Sequence, residues 1–284
     1  METAPGACDL WPIEQFLSDC ERYGIKTRGL RLYGGGENAP IWATDGSPIA
    51  TGGDSHYVVP WAAPLYTDRL LRFLERLGRD YGRYFAYLQP PMGVNQAEMI
   101  LPDGKAPDDA NVTVWHRPDL WDPKGKPEDR YTVARHADWV QDVVEHCLDT
   151  WPSTTIQVFV NRQGFNDEGR RAWDKLTGNP PAMPHPAEEA AAAVLKRCDL
   201  TRVLQGWTWA ETAAVTEQQQ RLLDQIAYYV GDGEGTCFDF GKPETPDEVR
   251  AMYRAMRAYG AQVVRVGPQD VERVGAEVFA GLER

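Results

Sequence analysis

The chain has little with which to grip a polyanion, a metal or a membrane. Of its 284 residues, 30 are Lys or Arg and 42 are Asp or Glu, a formal net charge of −12. A field of that sign works against nucleic acid and anionic lipid. Cysteines are few: Cys8, Cys20, Cys147, Cys198 and Cys237, an odd count with no CxxC spacing. That argues against a disulfide framework and against a zinc site. The five histidines are scattered, with no HxH or HExxH spacing, so no metal is expected. No hydrophobic run approaches membrane-spanning length. The opening METAPGACDLW has no basic segment followed by an apolar run, so no secretion signal is expected and the chain reads as soluble and made in the cytosol. A glycine-rich phosphate loop leading straight into a helix is also missing. Gly34–Gly36 run instead into a long irregular stretch, which ranks a nucleotide-dependent α/β enzyme last.

What is present is a globular composition, 42% hydrophobic with 10 Trp and 12 Tyr, enough to bury a core in one domain spanning 1–284. Ile13, Phe16, Leu17, Cys20 and Tyr23 recur at helical spacing, and Gly24 stops that helix. TRGLRLY reads as a strand. Leu70, Phe73, Leu74 and Leu77 mark a second helix, and YFAYLQ a second strand ending at two prolines. A helix burying Val140, Val143, Val144, Cys147 and Leu148 leads to the strand TIQVFVN. An Ala-rich helix precedes TRVLQGWTW, and a further helix precedes GTCFDF. Thr245, Pro246 and Glu248 form a capping box with proline at the first helical position. AQVVRV is the last strand and PQDVERVGAEVFAGLER one closing helix. Strands alternating with helices imply a parallel sheet with crossover helices. The long loops follow strands, which favours a (β/α) barrel over an open doubly wound sheet.

The stretches YGIKTRGLRLYGGGENAPIW and VVPWAAPLYTDRLLRFLERLGRDYGRYFAYLQ together resemble the middle of a clan A glycoside hydrolase barrel, over roughly residues 12–100. The resemblance implies an α/β, TIM-barrel-like (β/α)8 fold in which TRGLRLY is the third strand and AQVVRV the eighth. About six βα units then lie in this chain, and the first two have no room before the first helix. Either the barrel is open, or the N-terminal residues improvise, or a partner chain or self-association covers the gap. Exposed strand edges are a pairing liability, which favours the last.

The resemblance also places an acid/base glutamate after YFAYLQ, at Glu98. The usual signature has Asn immediately before Glu; here Asn95 lies three residues earlier, and a solvated loop acid is the plain alternative. A second carboxylate is sought at the later strand ends, where Asp239 and Glu211 stand. Asp239 reads equally as a buried acid bonded to backbone amides, and Glu211 as a helix-start acid complementing the dipole. Trp207 and Trp209 alternate at a strand end. With Trp42, Trp61, Trp115 and His116 they could floor a sugar site, although loop packing is the commoner use of such residues. Arg31 alternates with Leu30 and Leu32. It reads first as an interior charge needing a carboxylate partner, and second as a substrate ligand.

The expected function is therefore a carbohydrate-active barrel, a retaining O-glycosyl hydrolase or a binder of polysaccharide or cell-surface glycan. The alternative is a catalytically silent structural or receptor-binding module of a larger assembly, such as a virion-associated minor tail protein at a phage tail tip. Such a function calls for no organic cofactor, and neither nucleic acid nor membrane is expected as a partner.

Overall fold

The computed structural model describes residues 2–4, 7–32, 49–52, 55–58, 64–91, 93–94, 99–101, 105–106, 109–113, 133–159, 194, 197, 203–206, 236–239, 243–258 and 263–282. Its centre is a six-stranded sheet of β1 (Gly29–Arg31), β2 (Tyr87–Gln89), β3 (Thr155–Phe159), β4 (Val203–Gly206), β5 (Thr236–Asp239) and β6 (Val263–Arg265). All neighbours pair in parallel, and spatial order equals sequence order. A doubly wound sheet reverses direction at a switch point; this one does not. The right-handed rule for parallel crossovers then puts successive connections on one face.

The helices are α1 (Trp11–Arg22), α2 (Pro64–Tyr81), α3 (Val133–Thr150), α4 (Pro246–Ala258), α5 (Pro268–Val274) and α6 (Ala276–Ala280). The stop of α1 is a Schellman motif. Gly24 takes φ +68°, its N–H donates to the Glu21 carbonyl, and the Ile25 N–H donates to that of Cys20. The α4 capping box is formed in both directions: the Glu248 N–H donates to Thr245 Oγ1, and the Thr245 N–H to Glu248 Oε2. The single closing helix expected from the sequence is instead two, α5 and α6, broken at Gly275. Its φ of +91° lies outside helical space, where glycine costs least.

α2 and α3 run side by side, tied by three links of increasing residue number. Trp139 Nε1 donates to Thr67 Oγ1 at 3.1 Å, His146 Nε2 to the Leu71 carbonyl at 2.9 Å and Trp151 Nε1 to the Leu74 carbonyl at 3.0 Å. Trp151 is fully buried and lies against Gly78 and Gly82. A Cβ on Gly78 would stand 2.8 Å from Trp151 Nε1, so only glycine lets the helix come this close. The expected core positions Val140, Val143, Val144 and Cys147 are buried, as are Leu74 and Leu77, while Leu70, Phe73 and Leu148 are half-buried.

Strand alternation sorts the sheet into two faces. Leu88, Ile156, Val158 and Val264 share one, and Val264 packs against Val249, Met252 and Met256 of α4 in the core. That face is the helix-covered one. Arg31, Gln89, Gln157 and Arg265 share the other.

This second face is concave. Arg265 Nη1 donates to Gln89 Oε1 at 2.9 Å, linking β6 to β2, four strands away. The registers run from Leu88 to Ile156 to Val203, up two residues to Gln205 and across to Thr236, up one to Cys237 and across to Val263, then up two to Arg265. Gln89 lies one residue above Leu88, so Arg265 sits four residues beyond the point straight across from it, one per strand step. In a flat sheet that offset would separate the two Cα atoms by roughly 23 Å. The ten side-chain bonds between them reach at most about 15 Å. Only a sheet curved toward this face closes the difference.

Among the described residues, Glu2–Ala4 and Ala7–Cys8 form an antiparallel pair separate from the six-stranded sheet. No helix of the described residues is long and apolar enough to cross a membrane.

Candidate functional site at the carboxyl ends of the strands

Parallel strands deliver all their carboxyl ends to one rim, and here polar residues gather on its concave side. Arg31 ends β1, Gln89 ends β2 and Arg265 ends β6. Gln157, inside β3, lies one residue beyond the register pair Leu88 and Ile156, beside Gln89. The strand β2 stops at Gln89 because Pro90 follows and offers no N–H to continue the ladder.

Burial separates these groups from ordinary surface polarity. Gln89 and Gln157 are each 1% exposed. Arg265 and Arg31 are half-buried, and Nε and Nη2 of Arg31 are buried atoms. Gln89 accepts from Arg265 and stands in register beside Arg31, so the three residues share one face of the curved sheet. Among the described residues Gln157 Nε2 is buried with no hydrogen-bond partner, a condition that costs about 1–3 kcal/mol unless something accepts from it. Position 239 is in register with Arg265.

The connections leaving β1 and β2 carry short strands of their own. Ile49–Gly52 pairs antiparallel with Ser55–Val58 after β1, and Met99–Leu101 follows β2. The Ser55–Val58 and Met99–Leu101 strands lie against each other, so the first two rim loops meet.

Of the residues singled out from the sequence, Arg31 is on the concave face and Asp239 ends β5 beside Arg265. Glu98, Glu211, Trp42, Trp61, Trp115, His116, Trp207 and Trp209 lie outside the described residues. Sequence reasoning passed over Gln89, Gln157 and Arg265. Each interrupts an otherwise apolar strand (YLQ, TIQVF, VVR), and a polar residue inside a buried run was the available signal. Among the described residues no cluster of three or more His, Cys, Asp or Glu could hold a metal ion.

Chemically the described side chains are binders. A guanidinium donates up to five N–H bonds and accepts none, and an amide does both without titrating.

No protein-family model matches the sequence, and no curated protein matches it. Among solved structures, the catalytic domain of beta-amylase from Paenibacillus polymyxa is similar at a TM-score of 0.48 and 10% identity, over 93% of this chain and 81% of that one.

Proposed function

We propose that the chain forms the third to eighth strands of a (β/α)8 barrel that takes carbohydrate at the carboxyl ends of its strands. The observation that carries this reading is the Arg265–Gln89 hydrogen bond at 2.9 Å. In such a barrel alternate strands fill one layer, so the fourth and eighth strands face each other across the axis. Under this assignment β2 and β6 are those two strands. Their offset of one residue per strand step matches a shear of eight over eight strands. Catalytic and binding groups of such barrels come from the carboxyl ends and the loops beyond them, which is where Arg31, Gln89, Arg265 and position 239 stand.

In the hydrolytic form of the proposal, Glu98 is the acid/base and Asp239 or Glu211 the second carboxylate, a pair that retention requires about 5–5.5 Å apart. The test is a panel of aryl glycosides and polysaccharides assayed with the wild-type chain and with Glu98→Gln, Asp239→Asn and Glu211→Gln. Hydrolysis that falls at least a hundredfold in Glu98→Gln supports the assignment. Hydrolysis untouched by that change removes Glu98 from it.

A second reading is favoured by the donors themselves. The described polar side chains nearest the carboxyl ends on that face, Arg31, Gln89, Gln157 and Arg265, are guanidinia and amides, which hold hydroxyls and carboxylates without relaying protons. A glycan-binding module without turnover, working in a larger assembly such as a phage tail tip, would use such a surface. Glycan binding with no hydrolysis across the panel selects this reading. The strands that would complete such a barrel we assign to a partner chain or a second copy; light scattering at increasing concentration reports the second copy as a rise in mass.

A further inference from the structure

The outer faces of α2 and α3 carry opposite charges in the same pattern. Arg69, Arg72 and Arg76 on α2 recur at three and four residues, and Asp142, Glu145 and Asp149 on α3 recur in the same way. Such spacing keeps each set of three side chains on one side of its helix. On α3 that side lies opposite the buried Val140, Val143, Val144 and Cys147, and all three acids are exposed. On α2 the Arg72 side chain is 76% exposed, while Arg69 and Arg76 are half-buried.

The acidic row is the one short of partners. Like charges three and four residues apart on a helix repel. Local desolvation, and after it the charges of Glu145 and Asp138, push the Asp142 carboxyl up. Among the described residues none of the three acids forms an ion pair, and Glu145 accepts from the Gln141 amide at 2.7 Å. The arginines have bonds of their own: Arg72 meets Asp68, Arg76 lies 3.7 Å from Asp80 and Arg69 is also engaged. A guanidinium offers five N–H groups, more than one carboxylate uses, so an arginine with one acid beside it can serve a second.

Height decides which groups could meet. α2 and α3 run in the same direction, with Thr67 bonded to Trp139 and Leu71 to His146, 72 and 75 residues apart. Arg69 and Asp142, Arg72 and Glu145, and Arg76 and Asp149 are each 73 residues apart, so each arginine stands level with one acid. A two-fold axis running along the helices leaves heights unchanged and lays α2 of one copy over α3 of the other, twice. The three arginines then face the three acids at both contacts. A companion chain would have to match each row separately; a second copy brings both.

We infer that two copies of this chain associate through the outer faces of α2 and α3, with Arg69, Arg72 and Arg76 of each set against Asp142, Glu145 and Asp149 of the other. This surface is separate from the strand edges of the sheet, and the inference does not rest on the carbohydrate reading.

Light scattering on the full chain tests it. In low salt the mass is expected to rise from one chain to two with concentration, and to fall back to one at about 1 M salt, where the screening length is about 3 Å. Arg72→Glu and Glu145→Lys each place like charges at both contacts and should weaken the dimer by at least about tenfold. An equimolar mixture of the two variants joins opposite charges at both contacts again, and should dimerise within about threefold of the wild type. A dimer indifferent to salt and to both variants overturns the inference and assigns the contact to the strand edges. Variants that are folded by circular dichroism and stay single when mixed overturn it too. A mass of one chain at every concentration in low salt overturns it and leaves the two rows to a companion chain. Should a variant fail to fold, the wild-type salt titration still decides.

Discussion

Arg265 and Gln89 are 176 residues apart in the chain and 2.9 Å apart in space. The bond ties the last strand of the sheet to the second and holds the concave rim together. Replacing Gln89 with Leu removes the acceptor and leaves a half-buried guanidinium short of one partner. The expected loss is about 1–3 kcal/mol, read as a lower urea midpoint at unchanged slope. The double variant Gln89→Leu/Arg265→Leu should lose less than the two single losses added together, because each single loss already includes the bond between them.

Gly78 is where α2 passes Trp151. A methyl group there would meet the Thr150 carbonyl at 2.5 Å and the indole nitrogen at 2.8 Å. Gly78→Ala therefore trades its gain in helix propensity for overpacking, with an expected net loss of about 1–3 kcal/mol. Thermal unfolding followed by tryptophan fluorescence reads it. The equivalent change at Gly82, where a Cβ comes no nearer than 3.4 Å to the ring, should cost less.

The reciprocal cap of α4 is a local device with a local prediction. Thr245→Ala removes the acceptor for the Glu248 N–H and should cost about 1 kcal/mol. Thr245→Ser should restore most of it, since the hydroxyl is the working group.

Stability should fall on the alkaline side. Burial raises the pKa of the Cys147 thiol and of the Tyr66 phenol, so the folded chain holds those protons more tightly than the unfolded chain does. The contribution is complete below the unfolded pKa values and is lost progressively above about pH 8.5 for the thiol and about pH 10 for the phenol. Urea midpoints should decline through that range. Cys147→Ala should flatten the part that begins at the lower pH. A thiol reagent should label Cys147 at neutral pH only as fast as the chain opens.

Local features were legible in the sequence because their causes are local. Thr245, Pro246 and Glu248 announce the start of α4, Gly24 ends α1, and the apolar runs YFAYLQ and TIQVFVN mark strands. The break in the closing helix was not legible. A glycine inside an apolar period of 3.6 is ordinarily tolerated, and only its φ of +91° distinguishes Gly275 from such a case. The concave rim was legible in part. Arg31 stood out by alternating with leucines. Gln89 and Arg265 acquire meaning only through a register accumulated over four strand pairings, which no window of sequence contains.

The one-residue offset per strand also sets where the consequences of a substitution fall. Adjacent strands present their concave residues at alternating heights, so side chains at one height come from every second strand. Sequence change at Gln89 should therefore be answered at positions 206 and 265 more than at its immediate neighbour Arg31. Paired variation in sequences diverging from this one should skip a strand each time.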